Sequence, residues 1–323
     1  MSSIANLPIV KTIDYWHSRL KGNRRRNLFL ITKVAEVLVF KKNCDSRSIT
    51  GEYAEFPTPV KSKIPENPSI SIVIPAYIRN QKDLCDIARL VGSIANQSRK
   101  PDHVILVDDC SPEKFNIPDY VHYVRLDKNS GPARARNTGK KIAVELGSDV
   151  ISFTDTDCVL SDLWVENILR SFNESEMFQI LSGNTVSLDK HWFGEYHNIN
   201  GTLNGRIFRN SDRLLYGTTA NLAITSELAK NIHFNENFPF AAGEDIDFCF
   251  RANMQGFAIK HEPRMTIHHH FGYSGNFYKS FSQFTSLFKK YGKGESILLK
   301  EIPDYYSYLE RTEGISSKTD FLI

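Results

Sequence analysis

The stretch "SISIVIPAY" (69–77) is an apolar run rich in β-branched residues, and it predicts a strand that is buried on both faces. The next stretch, "DLCDIARLVGSIANQ" (83–97), has apolar residues at helical spacing, and "HVILVDDCS" (103–111) is a second apolar run. The same alternation of strand and helix patterns continues in "YVHYVRL" (120–126), "PARARNTGKKIAVELG" (132–147) and "DVISFTDTD" (149–157). This order predicts an α/β domain with a mostly parallel central sheet flanked by helices.

Two of the predicted strands end in acidic residues. Asp108 and Asp109 follow the second strand, and Asp155 and Asp157 follow the fourth. In open α/β sheets a ligand sits beyond the carboxyl ends of the strands, and carboxylates crowded there need a cation or hydrogen-bond donors. If Asp155 and Asp157 continue an extended strand, their side chains point to the same face. The alternative is that they cap a helix, but the helix expected near Ser161 has capping residues of its own.

The first strand is not followed by a glycine-rich phosphate-binding loop. The turn after it reads "PAYIRNQKD" (75–83), which lacks GxGxxG, and the chain contains no GxxxxGK[ST] motif. "YGKGES" (291–296) is a partial glycine match in another context. If phosphates bind in the crevice, a divalent cation is the natural group to neutralise them.

Composition sets the broad class of the protein. The chain has 323 residues with 41% hydrophobic and 24% charged residues, as expected for a soluble globular protein. A formal net charge of +3 gives no electrostatic reason to expect a nucleic-acid binder. The five cysteines are an odd number without a CxxC pair, which indicates reduced thiols and a cytoplasmic location.

The chain divides at a proline-spaced stretch, "FPTPVKSKIPENPSI" (56–70), which favours extended structure. We expect a helical extension and linker over 1–68, the α/β domain over 69–272 and a helical segment over 273–323. Within the extension, 24–42 is a short apolar segment with basic residues at both ends. It predicts a helix packed on the main domain, or a helix that lies at the inner face of an anionic membrane.

Five ordered blocks carry a resemblance to a known family. They occur in the order and spacing of a family 2 glycosyltransferase with the GT-A fold, and the resemblance covers about residues 69–270. The blocks are "SIVIPAYIRN" (71–80), "VILVDDCSPE" (104–113), "NSGPARARNTGKKIA" (129–143), "ISFTDTDCVL" (151–160) and "AAGEDIDFCFRANMQGF" (241–257).

The resemblance implies an enzyme that moves a sugar from a nucleotide-diphosphate sugar, expected to be a UDP-sugar, to an acceptor with inversion. It also implies Mn²⁺ or Mg²⁺, which stabilises the departing diphosphate. A glycan, a lipid-linked sugar, a protein and a small molecule all remain open as acceptors. Two other classes are a nucleotidyltransferase of the same fold, which would want a glycine-rich basic loop after the first strand, and a non-catalytic sugar-nucleotide-binding module, which would have lost its carboxylates.

The resemblance also implies roles for particular residues in nucleotide binding. Asp109 matches the carboxylate that accepts a hydrogen bond from uracil, although Cys110 replaces the glycine that usually follows the acidic pair. Arg136 is preferred to Arg134 as the arginine that lies against the nucleotide. The nucleotide-binding residues implied are Pro75, Tyr77, Asp109, Arg136 and Asp155.

The metal ligands implied by the resemblance are Asp157 and one histidine near a strand end. The sequence offers three in a row, at 268–270, and adjacent strand residues point to opposite faces, so they cannot all bind one ion. His269 shares the parity of Met265 and Ile267, which have the pattern of inward positions, and is therefore the ligand we expect.

The block that contains "GEDIDF" (243–248) supplies the catalytic carboxylates in this resemblance. Asp245 is implied to be the base that takes the acceptor's proton, and Glu244 is implied to orient the acceptor. The alternative is that these carboxylates cap the helix that follows. Asn221 matches a block near the donor sugar, and Trp192 is a candidate for stacking on a donor or acceptor sugar.

Overall fold

The computed structural model describes residues 26–43, 56–207, 213–273 and 275–305. The strands are β1 (Ile70–Ala76), β2 (His103–Asp108), β3 (Val121–Arg125), β4 (Val150–Thr154), β5 (Cys158–Leu160), β6 (Ile180–Ser187), β7 (Arg206–Ile207), β8 (Leu214–Tyr216), β9 (Asn221–Thr225) and β10 (Ile259–His269). The helices are α1 (Arg26–Asn43), α2 (Gln81–Ala95), α3 (Pro132–Glu145), α4 (Trp164–Glu174), α5 (Trp192–Asn200), α6 (Ser226–Asn231), α7 (Glu244–Met254) and α8 (Phe277–Glu301).

The central sheet has eight strands in the order β3-β2-β1-β4-β9-β6-β10-β5. Strands β3, β2, β1 and β4 are parallel neighbours, as are β6 and β10. Strand β9 is antiparallel to both β4 and β6, and β5 is antiparallel to β10. The α/β fold expected from the alternating strand and helix patterns is confirmed, with a mixed second half that the sequence did not predict.

The two faces of the sheet carry separate apolar cores. Strand β1 shows the division, because Val73 packs into one cluster while its neighbours Ile72 and Ile74 pack into the other. All three side chains have no exposed surface, which accounts for the unbroken apolar run in the sequence. Helix α3 covers the first face closely, since a Cβ on Gly139 would lie 2.4 Å from Cγ1 of Val73.

Helix α1 packs along α8 and buries one of its faces there. Phe29 joins an aromatic cluster with Tyr196 and Phe284, and Val37 and Phe40 are buried further along the same face. The structure thus contains the packed helix that was one hypothesis for residues 24–42. Within the described ranges, no helix combines the length and the apolar character needed to cross a bilayer.

Candidate active site

A cleft of about 900 Å³ opens at the carboxyl ends of β1, β2 and β4. It brings together most of the residues that the sequence indicated, although they come from segments far apart in the chain. The indicated residues that line it are Pro75, Tyr77, Asp109, Arg136, Asp155, Asp157, Glu244, Asp245 and His269.

Asp155 and Asp157 lie in a turn between β4 and β5. The backbone N–H of Cys158 donates to the carbonyl oxygen of Asp155 at 3.1 Å, which closes this turn. The expectation of an extended strand with both carboxylates on one face is therefore wrong at this point. Asp155 turns toward Arg136, whereas Asp157 turns toward His269. Neither carboxylate caps the following helix, which begins at Trp164 without a side-chain cap.

Arg136 is buried beneath the cleft between two carboxylates. Its Nη2 donates to Oδ1 of Asp155 at 2.8 Å and its Nη1 donates to Oε1 of Glu244 at 2.7 Å. Burial alone would lower the pKa of Arg136, but the charges of Asp155 and Glu244 raise it, so the guanidinium stays charged. In the structure the guanidinium holds Asp155 and Glu244 in position, and the nucleotide contact expected of Arg136 stays a prediction. Arg134 is exposed and pairs with Glu236.

Asp108 and Asp109 have different surroundings at the end of β2. Asp108 has no exposed surface and accepts hydrogen bonds from the backbone N–H of Ser111, from the Tyr123 hydroxyl and from Arg125. Burial opposes its ionisation, yet these donors lower the pKa of Asp108 overall.

Asp109 faces the cleft. Its two oxygens accept the backbone N–H groups of Ser130 at 2.7 Å and Gly131 at 2.8 Å, and it thereby fixes the loop that leads into α3. The next residue, Cys110, has φ of 61°, a left-handed conformation that explains why glycine suits this position.

His269 is the histidine of the triplet that reaches Asp157, with Nε2 at 3.3 Å from Oδ1. His270 instead lies beside Asp86, at 2.6 Å from its carboxylate. A carboxylate oxygen and an imidazole nitrogen at this separation suit two neighbouring ligands of one cation with bonds of about 2.1 Å. A carboxylate oxygen and a neutral imidazole nitrogen can both bind a divalent cation.

The Cys158 thiol also lies near the pair formed by Asp157 and His269. Cys158 has no exposed surface, and burial raises the pKa of its thiol well above the usual value. Because a thiolate is a soft ligand and Mn²⁺ and Mg²⁺ prefer oxygen ligands, Cys158 is a poor third ligand.

Asp245 lies in the first turn of α7, whose N-cap is Gly243. Burial, reinforced by the negative charge of Glu244, raises the pKa of Asp245 to about 7. Glu244 is buried, and its Oε2 has no hydrogen-bond partner in the part of the chain that the structure describes. Asp247 points elsewhere and pairs with Arg251. Asp245 and Glu244 therefore face the cleft, while Asp247 forms an ion pair within α7.

Two sequence-based site residues are corrected by the structure. Asn221 is buried, and its side chain accepts from the Trp164 indole at 2.8 Å and donates to the carbonyl oxygens of Asn184 and Met265. It joins strands, and only the residues before it, 218–220, line the cleft. Trp192 does not line the cleft either, because its indole N–H donates to Oγ1 of Thr32 on α1.

Sequence reasoning missed the contribution of α1 and α8 to the cleft. Both helices lie beyond the ordered blocks that carry the family resemblance. They add one wall to the cleft, made of residues that include Lys33, Glu36, Phe40, Gln283, Lys290 and Tyr291. The glycine pair in "YGKGES" was the one available signal, as it permits close packing of α8.

The fold and the cleft together define the class of protein. It has a sugar-nucleotide transferase fold with a carboxylate-rich site at the strand ends. Residues 71–229 match the model of glycosyl transferase family 2, and this domain of the chain belongs to that family of transferase enzymes. The resemblance inferred from the five blocks is thus confirmed.

Similar proteins agree with this assignment. The pre-mycofactocin glycosyltransferase of Mycobacterium tuberculosis is 25% identical over 219 residues, which are 64% of this chain and 43% of that protein. The chain therefore spans less than half the length of this curated relative.

Two crystal structures share the fold. S. aureus TarS 1-349 has a TM-score of 0.50 at 17% identity, with 75% of this chain and 71% of that chain covered. GalNAc-T7 with UDP, GalNAc and Mn²⁺ has a TM-score of 0.50 at 15% identity, with 64% and 44% covered. At these identities the likeness concerns the fold alone.

Proposed function

We propose that the protein transfers a sugar from a UDP-sugar to an acceptor, with inversion at the anomeric carbon and with a divalent metal ion. The observation that carries the proposal is the single cleft in which the Asp157 and His269 pair lies with Asp155, Glu244 and Asp245. The proposed catalytic unit is residues 69–272, flanked by an extension and linker over 1–68 and a segment over 273–323. The structure describes α1 and α8 in these flanking segments, and residues 1–25, 44–55 and 306–323 lie outside the described residues.

Asp157 and His269 would hold the metal ion, which is Mn²⁺ or Mg²⁺. When bound, the ion neutralises charge that develops on the diphosphate as it departs. Asp155 is held by Arg136 on the other side of the same turn, where it can accept a hydrogen bond from the ribose. The proposed metal ion and the Asp155 carboxylate would together orient the nucleotide.

Asp245 is the proposed base. Its carboxylate takes the proton of the acceptor as the acceptor's nucleophilic atom bonds to the anomeric carbon, and the bond from that carbon to UDP breaks. Glu244 stands beside it with Oε2 free to accept a hydrogen bond from a substrate hydroxyl, since Oε1 is held by Arg136. Attack from the face opposite UDP inverts the configuration.

UDP as the nucleotide rests on two supports. Tyr77 is 41% exposed at the cleft, where a ring can stack on a base, and Asp109 lines the cleft nearby. UDP and Mn²⁺ also accompany GalNAc-T7, which shares the fold. A nucleotidyltransferase would need a basic, glycine-rich loop after β1, and a binding module without activity would not need Asp245.

A panel of sugar nucleotides tests the proposal. The protein is incubated with each donor and Mn²⁺, and nucleotide release is measured by chromatography, with EDTA in a parallel sample. Release of UDP from one donor, lost with EDTA, is expected. Release of pyrophosphate from a nucleoside triphosphate and a sugar phosphate would instead identify a nucleotidyltransferase, and binding without release would identify a non-catalytic module.

We also propose a cytoplasmic location with peripheral membrane contact through residues 24–42. Helix α1 packs through one face and exposes Leu28, Ile31 and Leu38 on another. Lys41 and Lys42 follow in its last turn. An exposed apolar stripe beside basic residues suits the surface of an anionic bilayer, since the lysines attract its headgroups.

A further inference from the structure

Helix α8 packs tightly between α1 and the loop that carries the catalytic carboxylates. A Cβ on Gly292 would lie 2.6 Å from the carbonyl oxygen of Phe40, and one on Gly294 would lie 2.3 Å from that of Ala242. Larger residues at either position would push α8 away. Two glycines therefore bring α8 against α1 and against the loop before Asp245. Neither α1 nor α8 lies within residues 71–229 that match the family.

Tyr291 stands just before this glycine pair and lines the cleft. Its ring meets the ring of Phe288 edge-on at 5.6 Å and packs against Val37 and Phe40 of α1. Burial first, and then the charge of the Asp245 carboxylate, raise the pKa of Tyr291 well above its usual value. The phenol therefore keeps its proton, and its ring is a fixed aromatic surface close to the proposed base.

The wall that α1 contributes is polar but electrically balanced. Nζ of Lys33 donates to Oε1 of Glu36 at 2.7 Å and to Oδ1 of Asn200 at 3.0 Å. The Tyr196 hydroxyl donates to the other carboxylate oxygen of Glu36. Because these buried charges offset each other, this wall favours neutral hydroxyl groups over an ionised ligand.

We propose that α1 and α8 form the acceptor subsite, and that a carbohydrate acceptor stacks on Tyr291 with one hydroxyl directed to Asp245. The proposal rests on the proposed function and adds the chemical class of the acceptor. An aromatic ring receives the apolar C–H face of a sugar, while the polar wall receives its hydroxyls. The volume of about 900 Å³ is near the upper end of the roughly 300–1,000 Å³ range of small-molecule sites, which leaves room beside the donor.

The test is an acceptor panel of p-nitrophenyl glycosides, used with the donor identified by nucleotide release. Tyr291→Leu keeps apolar bulk but removes the ring, and should raise the acceptor KM about tenfold. Tyr291→Phe keeps the ring, and should leave the acceptor KM close to that of the wild type. The affinity for UDP in the presence of Mn²⁺, measured by calorimetry, should be unchanged in both. Tyr278→Leu on the same helix is the control, because Tyr278 is 84% exposed and does not line the cleft.

The outcomes separate this inference from the proposed function. If the wild-type protein releases UDP but transfers to none of the glycosides, the acceptor is not a carbohydrate of this kind and the inference is wrong. An acceptor KM that stays unchanged in Tyr291→Leu, in a protein with an unchanged melting temperature, would also overturn it. If Tyr291→Leu melts at a lower temperature, the acceptor KM and the UDP Kd are both measured at a temperature where the variant is folded. A raised KM with an unchanged Kd supports the inference, and an unchanged KM overturns it. Failure to bind UDP or to release it from any donor would instead overturn the proposed function.

Discussion

Arg136 and Glu244 form a buried ion pair that joins α3 to the first turn of α7, with Nη1 at 2.7 Å from Oε1. The two residues are 108 positions apart in the chain. Because Arg136 also binds Asp155, one guanidinium links the turn that carries the proposed metal ligand to the residue beside the proposed base. The relative placement of donor and acceptor groups in the cleft therefore depends on a side chain that is itself out of contact with solvent.

Replacing Arg136 with methionine should destabilise the protein. The change leaves the Glu244 carboxylate buried without its cation, and breaking a buried pair in this way costs about 3–5 kcal/mol. Chemical denaturation would measure the loss in the free energy of unfolding. Arg134→Met is the matched control, since Arg134 is exposed and its change should alter the free energy by about 0.5 kcal/mol or less. Equal effects from the two variants would contradict the role given to Arg136.

Asp157→Ala should abolish the dependence of UDP affinity on Mn²⁺. The variant loses one of the two proposed metal ligands, while the fold should persist because Asp157 lies in a turn at the cleft. Calorimetric titration of UDP, with and without Mn²⁺, provides the measurement. Cys158→Ala is the informative partner, as Cys158 is close to the same atoms but buried with a protonated thiol. A loss of Mn²⁺ dependence in Cys158→Ala would show that the thiol is a ligand after all.

Much of the site could be predicted from the sequence because it depends on where strands end. Asp109, Asp155 and Asp157 follow apolar runs, and parallel strands bring their carboxyl ends to one edge of the sheet. His269 followed from strand parity, since Met265 and Ile267 are indeed buried. Local patterns were sufficient wherever the position of a residue is fixed by the element that carries it.

The rest of the site depends on contacts between distant segments. Arg136 forms ion pairs with two carboxylates that no local pattern assigns to it. The side chain of Asn221 makes hydrogen bonds that join strands. The packing of α1 on α8 depends on Gly292, whose role appears only when Phe40 is beside it. Periodicity predicts that a helix exists, but it does not predict which surface covers the helix.

Asp245→Asn should lower the rate of transfer by orders of magnitude while leaving UDP affinity and the melting temperature close to those of the wild type. The amide has the same size as the carboxyl group but cannot take the acceptor's proton. Asp247→Asn makes the same change two residues later, where the side chain pairs with Arg251 and not with the cleft. Its turnover should persist even though its stability falls by about 1–3 kcal/mol. Comparable turnover in Asp245→Asn and the wild type would rule out Asp245 as the base.

The pH dependence of the reaction should report the same carboxyl group. Burial, followed by the charge of Glu244, raises the pKa of Asp245 to about 7, so the base is protonated and inactive below that pH. We expect kcat/KM to rise with pH through an apparent pKa near this value.

The stability of the protein should also depend on pH through Asp245. In the unfolded chain Asp245 ionises near 3.8, so between pH 3.8 and 7 the folded state binds one more proton than the unfolded state. The stability that Asp245 contributes is therefore full below about pH 4 and lost as the pH rises to 7. A pH–stability curve that is the same in Asp245→Asn would contradict this assignment.

Helix α1 should bind anionic vesicles through its exposed stripe. Sedimentation with phosphatidylglycerol vesicles should capture the protein, and the bound fraction should fall with added salt, because screening weakens the attraction between Lys41 and Lys42 and the headgroups. Ile31→Glu should reduce binding without loss of stability, since Ile31 is 68% exposed. Leu163→Glu is the matched control, as Leu163 is also exposed but precedes α4. Binding to neutral phosphatidylcholine vesicles that equals binding to anionic ones, or an Ile31→Glu variant that sediments like the wild type, would show that this face of α1 does not contact a membrane.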